Sequence, residues 1–96
     1  TETGNIKYSM VSDGCYIAGE VTNSSLSENI KLGTNSSIDH SVVMSGATLG
    51  KNVRVEYAII GESAKIADNA EVIGTPDEIA VVGYHETVGG LKDDEE

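Results

Sequence analysis

The 96-residue sequence has no Phe, no Trp, one Pro, one Cys and only six Lys and Arg. Each scarcity removes a class of protein. Without large rings the core must be built from Val, Ile and Leu, which gives a narrow interior with little space for aromatic groups. A single cysteine, Cys15, forms no intrachain disulfide, so the stapled framework of a small secreted domain is excluded and a reducing cytoplasm is the expected compartment. No apolar run approaches the roughly 18–20 residues of a membrane-spanning helix, and no signal peptide is expected. The first residue is Thr1 rather than Met, so the chain is expected to be a piece of a longer protein. Sixteen Asp and Glu against six Lys and Arg give a net charge of −10, which argues against nucleic acid and anionic membrane as partners.

What the chain does have is an internal repeat. Eleven Gly beside a single Pro indicate tight turns rather than disorder. No apolar stripe recurs at helical spacing, but a shift of seventeen residues superposes the chain on itself. Leu32-Gly33 falls on Leu49-Gly50 and then on Ile66-Ala67, and Asn35 falls on Asn52 and Asn69. Ile38, Val55 and Val72 form another column, and Leu26, Val43 and Ile60 a third. Two positions before each of these anchors stands a partner, usually smaller. Ser24, Ser41 and Ala58 make one partner column, Ile30, Ala47 and Ala64 the next, and Ser36, Val53 and Ala70 the last.

Residues i−2 and i of a strand point to one face, so each anchor and its partner face inward together. Three short strands and three turns then make one triangular coil, and coils stack at about 4.8 Å. A shorter coil precedes the others, with anchors Val11, Ile17 and Val21 and partners Ser9, Cys15 and Gly19. The expected fold is all-β, a single-stranded parallel β-helix forming a triangular prism of about four coils over residues 9–74. Only the stack buries these faces, because one coil has no core of its own. Residues 1–8 are expected as a linker from a missing N-terminal domain and 91–96 as an acidic disordered tail. Residues 75–90 are expected as a terminal strand or cap, since Asp77 falls where an anchor is due.

The stretch "GATLGKN" (46–52) comes within one residue of a phosphate-binding loop, which needs G-x-x-x-x-G-K and then Ser or Thr. Here there are three spacers, and Asn52 replaces the hydroxyl. In register, Gly50 and Asn52 belong to repeat columns, whereas Lys51 matches Thr34 and Asp68. The stretch therefore reads as a corner of a coil, where Gly and Asn suit unusual backbone angles.

Leu32-Gly-Thr-Asn-Ser-Ser37, Leu49-Gly-Lys-Asn-Val-Arg54 and Ile66-Ala-Asp-Asn-Ala-Glu71 resemble the hexapeptide repeat, the third departing by Ala for Gly. That resemblance implies a left-handed winding. The segments "DGCYIAGEV" (13–21), "SSLSENIKLG" (24–33), "DHSVVMSGATLGKNVRVEYAIIG" (39–61) and "VIGTPDEIAVVG" (72–83) are similar to the C-terminal domain of the glucose-1-phosphate adenylyltransferases of glycogen biosynthesis. The resemblance implies a parent nucleotidyltransferase making ADP-glucose and pyrophosphate from ATP and glucose 1-phosphate. Mg and ATP would bind a catalytic domain absent from this chain, so no cofactor is expected in these residues. It also implies packing against that catalytic domain, a homo- or hetero-oligomer expected to be a tetramer, and a role in binding a phosphorylated effector. A hexapeptide acyltransferase, or the β-helix tail of another sugar nucleotidyltransferase, is the alternative.

No residue is expected to be catalytic or to bind a metal. Four are candidates for effector or interface contacts: Lys51, Arg54, Tyr57 and His40. Lys51 and Arg54 offer cations to a phosphorylated effector, against the simpler reading of a solubilising outer face. His40 shares a corner column with Asn23 and Tyr57; it could act as general base in an acyltransferase, but no long loop interrupts 24–74, and a surface histidine stacked on Tyr57 is the simpler reading. His85 lies beyond the last expected coil, and two histidines do not make the three-histidine metal site some β-prisms carry. Cys15 holds an inward partner position and reads as a core thiol without an activating cation.

Overall fold

The computed structural model describes residues 5–89, and all regular structure in them is strand. The first course around the prism holds β1 (Asn5–Lys7), β2 (Met10–Val11) and β3 (Tyr16–Ile17). The second holds β4 (Glu20–Thr22), β5 (Ser25–Leu26) and β6 (Lys31–Leu32), and the third β7 (Ser37–Asp39), β8 (Val42–Val43) and β9 (Thr48–Leu49). The fourth holds β10 (Arg54–Glu56), β11 (Ala58–Ile60) and β12 (Lys65–Ile66), and the last β13 (Glu71–Ile73), β14 (Ala80–Val82) and β15 (Thr87–Val88). Every third strand pairs in parallel, giving three five-stranded sheets: A (β1-β4-β7-β10-β13), B (β2-β5-β8-β11-β14) and C (β3-β6-β9-β12-β15).

The register follows the repeat. Val21, Ile38, Val55 and Val72 pair in sheet A, Leu26, Val43 and Ile60 in sheet B, and Ile17, Leu32, Leu49 and Ile66 in sheet C. Eleven of the twelve expected anchors are buried, and Val11 is half-buried in the first course. The four turns expected over 9–74 are therefore present, as a β-solenoid of the hexapeptide kind.

The prism is longer at both ends than the repeat alone indicates. Asn5–Lys7, placed within a linker by the sequence, forms β1 and pairs with β4, with Ile6 opposite Val21. This first course is two residues shorter than the rest between Ile17 and Val21, which hides Ile6 from a shift of seventeen. At the other end, residues 80–82 and 87–88 do not lie across the prism as a cap. They resume sheets B and C, with Val82 opposite Ile60 and Val88 opposite Ile66. A five-residue insertion, Thr75–Ile79, throws these anchors out of phase, and its turn is closed by reciprocal backbone hydrogen bonds between Thr75 and Glu78. The expected acidic tail, 91–96, lies outside the described residues.

The corners separate two roles that the repeat pattern merges. Asn35, Asn52 and Asn69 have φ of 68°, 60° and 68°, the left-handed region that Asn tolerates better than most residues. Their carboxamides form a ladder, Asn35 Nδ2 donating to Asn52 Oδ1 at 2.9 Å and Asn52 Nδ2 to Asn69 Oδ1 at 3.1 Å. Gly33 and Gly50 have ordinary φ, contrary to the expectation of unusual angles there. They are glycine because courses approach closely: a Cβ on Gly33 would lie 2.6 Å from the Gly50 carbonyl oxygen.

Partner serines add buried hydrogen bonds between courses. Ser24 Oγ donates to the Thr22 carbonyl (2.8 Å) and accepts from the Ser41 N–H (3.1 Å). Ser41 Oγ donates to the Asp39 carbonyl (2.8 Å) and accepts from the Ala58 N–H (3.1 Å). The column can change to Ala58 because the next N–H, that of Ala80, goes to the Tyr57 carbonyl instead, at 3.0 Å.

Candidate functional site

Alternation decides what each sheet shows outside. The outer positions of sheet A are polar and charged except for Ile73 in the last course, with Glu20, Ser37, Arg54 and Glu71 in one row. Sheet C presents Tyr16, Lys31, Thr48, Lys65 and Thr87. Sheet B differs. Its outer row runs Met10, Ser25, Val42, Ile59 and Val81, so four of five positions are apolar, with Met44 beside them. Met10 is 76% exposed and Val81 68%, which makes this face the apolar side of the prism. The row is readable in retrospect as doublets, Met10-Val11, Val42-Val43, Ile59-Ile60 and Val81-Val82, of which one member only can face the core.

The corner between sheets A and B borders this face. Tyr8, Asn23, His40 and Tyr57 occupy it in successive courses, all with positive φ. The His40 and Tyr57 rings stack with centroids 4.8 Å apart and planes 10° from parallel. His40 Nδ1 lies 3.1 Å from an Asp39 carboxylate oxygen. An open groove of about 810 Å³ follows the corner, lined by these four residues and by Ser9, Ser24, Ser25, Ser41, Met10 and Val42.

The structure does not bring the four candidates into one site. Tyr57 and His40 form the corner stack. Arg54 opens β10 on the outer face of sheet A, where Nη2 donates to Glu56 Oε2 at 2.9 Å and Nη1 to Glu71 Oε2 at 3.4 Å. The hydrogen bond to Glu56, then the charges of Glu56 and Glu71, raise the Arg54 pKa above its ordinary value. A phosphate arriving there would have to displace two carboxylates. Lys51 is exposed in the preceding turn, and its backbone N–H donates to Asp68 Oδ1 at 2.8 Å, which adds an anion beside it.

The other chemistry-bearing residues are dispersed. His85 stands in the corner between sheets B and C, stacked on Tyr84, away from the corner of His40. Cys15 is half-buried against the core and its thiol donates to the Ser27 carbonyl at 3.1 Å. Among the described residues no three His, Cys, Asp or Glu side chains are grouped to hold a metal ion, and no helix is long and apolar enough to cross a membrane. The surface is equipped for contact, through an apolar sheet face and an aromatic corner.

A family model described as "GlmU-like, C-terminal hexapeptide" matches residues 1–91. The chain is also 42% identical over 73 residues to a glucose-1-phosphate adenylyltransferase of Bacillus cytotoxicus, an alignment that covers 76% of this chain and 19% of that relative. It thus spans only a minor part of the length of the curated relative it matches.

Proposed function

Because the chain belongs to the GlmU-like C-terminal hexapeptide family, with that family's left-handed parallel β-helix as its fold, we propose that it is the non-catalytic oligomerisation and regulatory domain of a glucose-1-phosphate adenylyltransferase. The observation that carries this reading is the 42% identity to such an enzyme along 73 residues. In this reading ATP and glucose 1-phosphate are converted to ADP-glucose and pyrophosphate by a separate catalytic domain, which holds Mg and ATP. The compartment is a reducing cytoplasm, in keeping with a single free thiol.

The outer face of sheet B supports the contact role. Five strands at about 4.8 Å, each about five residues wide at 3.3 Å per residue, give a face of about 400 Å². That is about half of what each partner contributes to a stable complex between separate proteins. Counted on both partners, about 800 Å², it falls within the range for packing of two domains in one chain, about 600–1,500 Å² in total. Docking of the catalytic domain on this face fits its size, and a tetramer would draw on further surfaces. A phosphorylated effector would need cations that this domain supplies only in part, since Arg54 is already paired.

The test uses the full-length protein that carries these residues. Pyrophosphate release from ATP and glucose 1-phosphate is expected. Val42→Asp with Ile59→Asp should lower it and reduce the assembly seen by light scattering, while β-sheet circular dichroism is kept. Absence of ADP-glucose among the products would sink the reading. One contact favours the acyltransferase alternative: Asp39 at His40 Nδ1 is how a general base is oriented. Binding of acetyl-CoA that is lost in His40→Ala would support it.

A further inference from the structure

The corner between sheets A and B has a gap in an otherwise regular series. Tyr8, Asn23, His40 and Tyr57 have φ of 52°, 50°, 50° and 49°. The four share one left-handed corner conformation, stand one strand spacing of about 4.8 Å apart and line one groove. Where adjacent members are both aromatic they stack, as His40 and Tyr57 do at 4.8 Å. Asn23 interrupts the stack. Its carboxamide is shorter than a ring-bearing side chain, so Tyr8 and His40 flank it across two strand spacings, about 9.6 Å. The outer row of sheet B repeats the gap in the same course, with Ser25 between Met10 and Val42. The groove along this corner is the space these small residues leave.

We propose that the slot between Tyr8 and His40 binds the purine base of an uncharged nucleoside, edge-on to Asn23. A planar ring placed midway lies about 4.8 Å from each neighbour, the spacing of the His40–Tyr57 pair and within the range of aromatic stacking. The Asn carboxamide carries an acceptor and a donor in one plane, the pair that meets the N6 and N7 edge of adenine. Among the described residues the Asn23 carboxamide enters no hydrogen bond with protein, unlike those of Asn35, Asn52 and Asn69. The carboxylate of Asp39, 3.1 Å from His40 Nδ1, disfavours a phosphate at the slot. Asp39 and Glu56 stand side by side in sheet A next to His40 and Tyr57, and Lys7 opens the same row as its one cation. The proposal stands whether or not the chain serves an adenylyltransferase.

Adenosine titrated into the full chain tests it, with NMR of the His40 and Tyr8 ring protons and the Asn23 side-chain amide. Saturable shifts of all three at millimolar adenosine are expected, with weaker binding of adenosine 5′-monophosphate. Asn23→His fills the slot with the ring its backbone angle accepts at position 40, and should abolish binding with the melting temperature kept. Tyr8→Ala, at a residue 85% exposed and outside the core, should weaken binding about tenfold, the effect of removing one stacking ring. No shifts at saturating adenosine, binding unaffected by both variants, or tighter binding of the monophosphate would each overturn the proposal.

Discussion

Replacing Ser41 with Ala removes one oxygen from the corner between sheets A and B, and the consequence can be followed atom by atom. The hydroxyl of Ser41 donates to the Asp39 carbonyl and accepts from the Ala58 N–H. The Asp39 carbonyl keeps a partner, because the Tyr57 N–H also donates to it, at 3.1 Å. The Ala58 N–H does not. Ala58 is 2% exposed, so water cannot replace the lost acceptor without local opening. Leaving a buried donor unsatisfied costs about 1–3 kcal/mol. In a domain of this size each 1 kcal/mol shifts the melting temperature by about 4–8 °C. Urea unfolding followed by circular dichroism should therefore give a lower midpoint with an unchanged slope. Ser25→Ala, on the outer face of the neighbouring course, serves as control and should leave the midpoint in place. A loss below about 0.5 kcal/mol for Ser41→Ala, within the range of ordinary surface substitutions, would refute the assigned hydrogen bond.

Two further perturbations separate inside from outside and space from torsion. Leu49→Asp places a carboxylate at a position 1% exposed; it loses about 1.5–3 kcal/mol of apolar burial and adds several more for the desolvated charge. It should leave the domain unfolded in circular dichroism, whereas Lys51→Ala should melt like the parent. Gly33→Ala should destabilise by about 1–3 kcal/mol through overpacking, because the new Cβ meets backbone atoms of Gly50 and Lys51 at 2.6–3.0 Å. Gly83→Ala, whose Cβ would meet only the Glu86 side chain at 3.2 Å, should melt within a degree or two of the parent.

Most of the interior is legible in the sequence. An anchor every five or six residues, with a partner two positions earlier, leaves little choice about which side chains face inward, and eleven of the twelve anchors are buried. The ends were less legible for a reason of length alone. Two residues missing before Val21 and five added at Thr75–Ile79 displace Ile6, Val82 and Val88 from the period without moving them from their columns in space. The candidate residues divide similarly. The His40–Tyr57 stack follows from their shared column, while the pairing of Arg54 with Glu56 and Glu71 depends on rotamers that no spacing specifies.

Strand alternation and the period of seventeen are properties of the chain read along its length, and they fix the repeat, the strand and turn positions within it, and the apolar columns. Stacking alone shows why Gly33 is glycine, where the serine hydroxyls end, and that Asn23 stands between Tyr8 and His40 along the corner. Each of these depends on the atom one course above or below, which stacking brings within van der Waals reach from fifteen to twenty-two residues away in the chain.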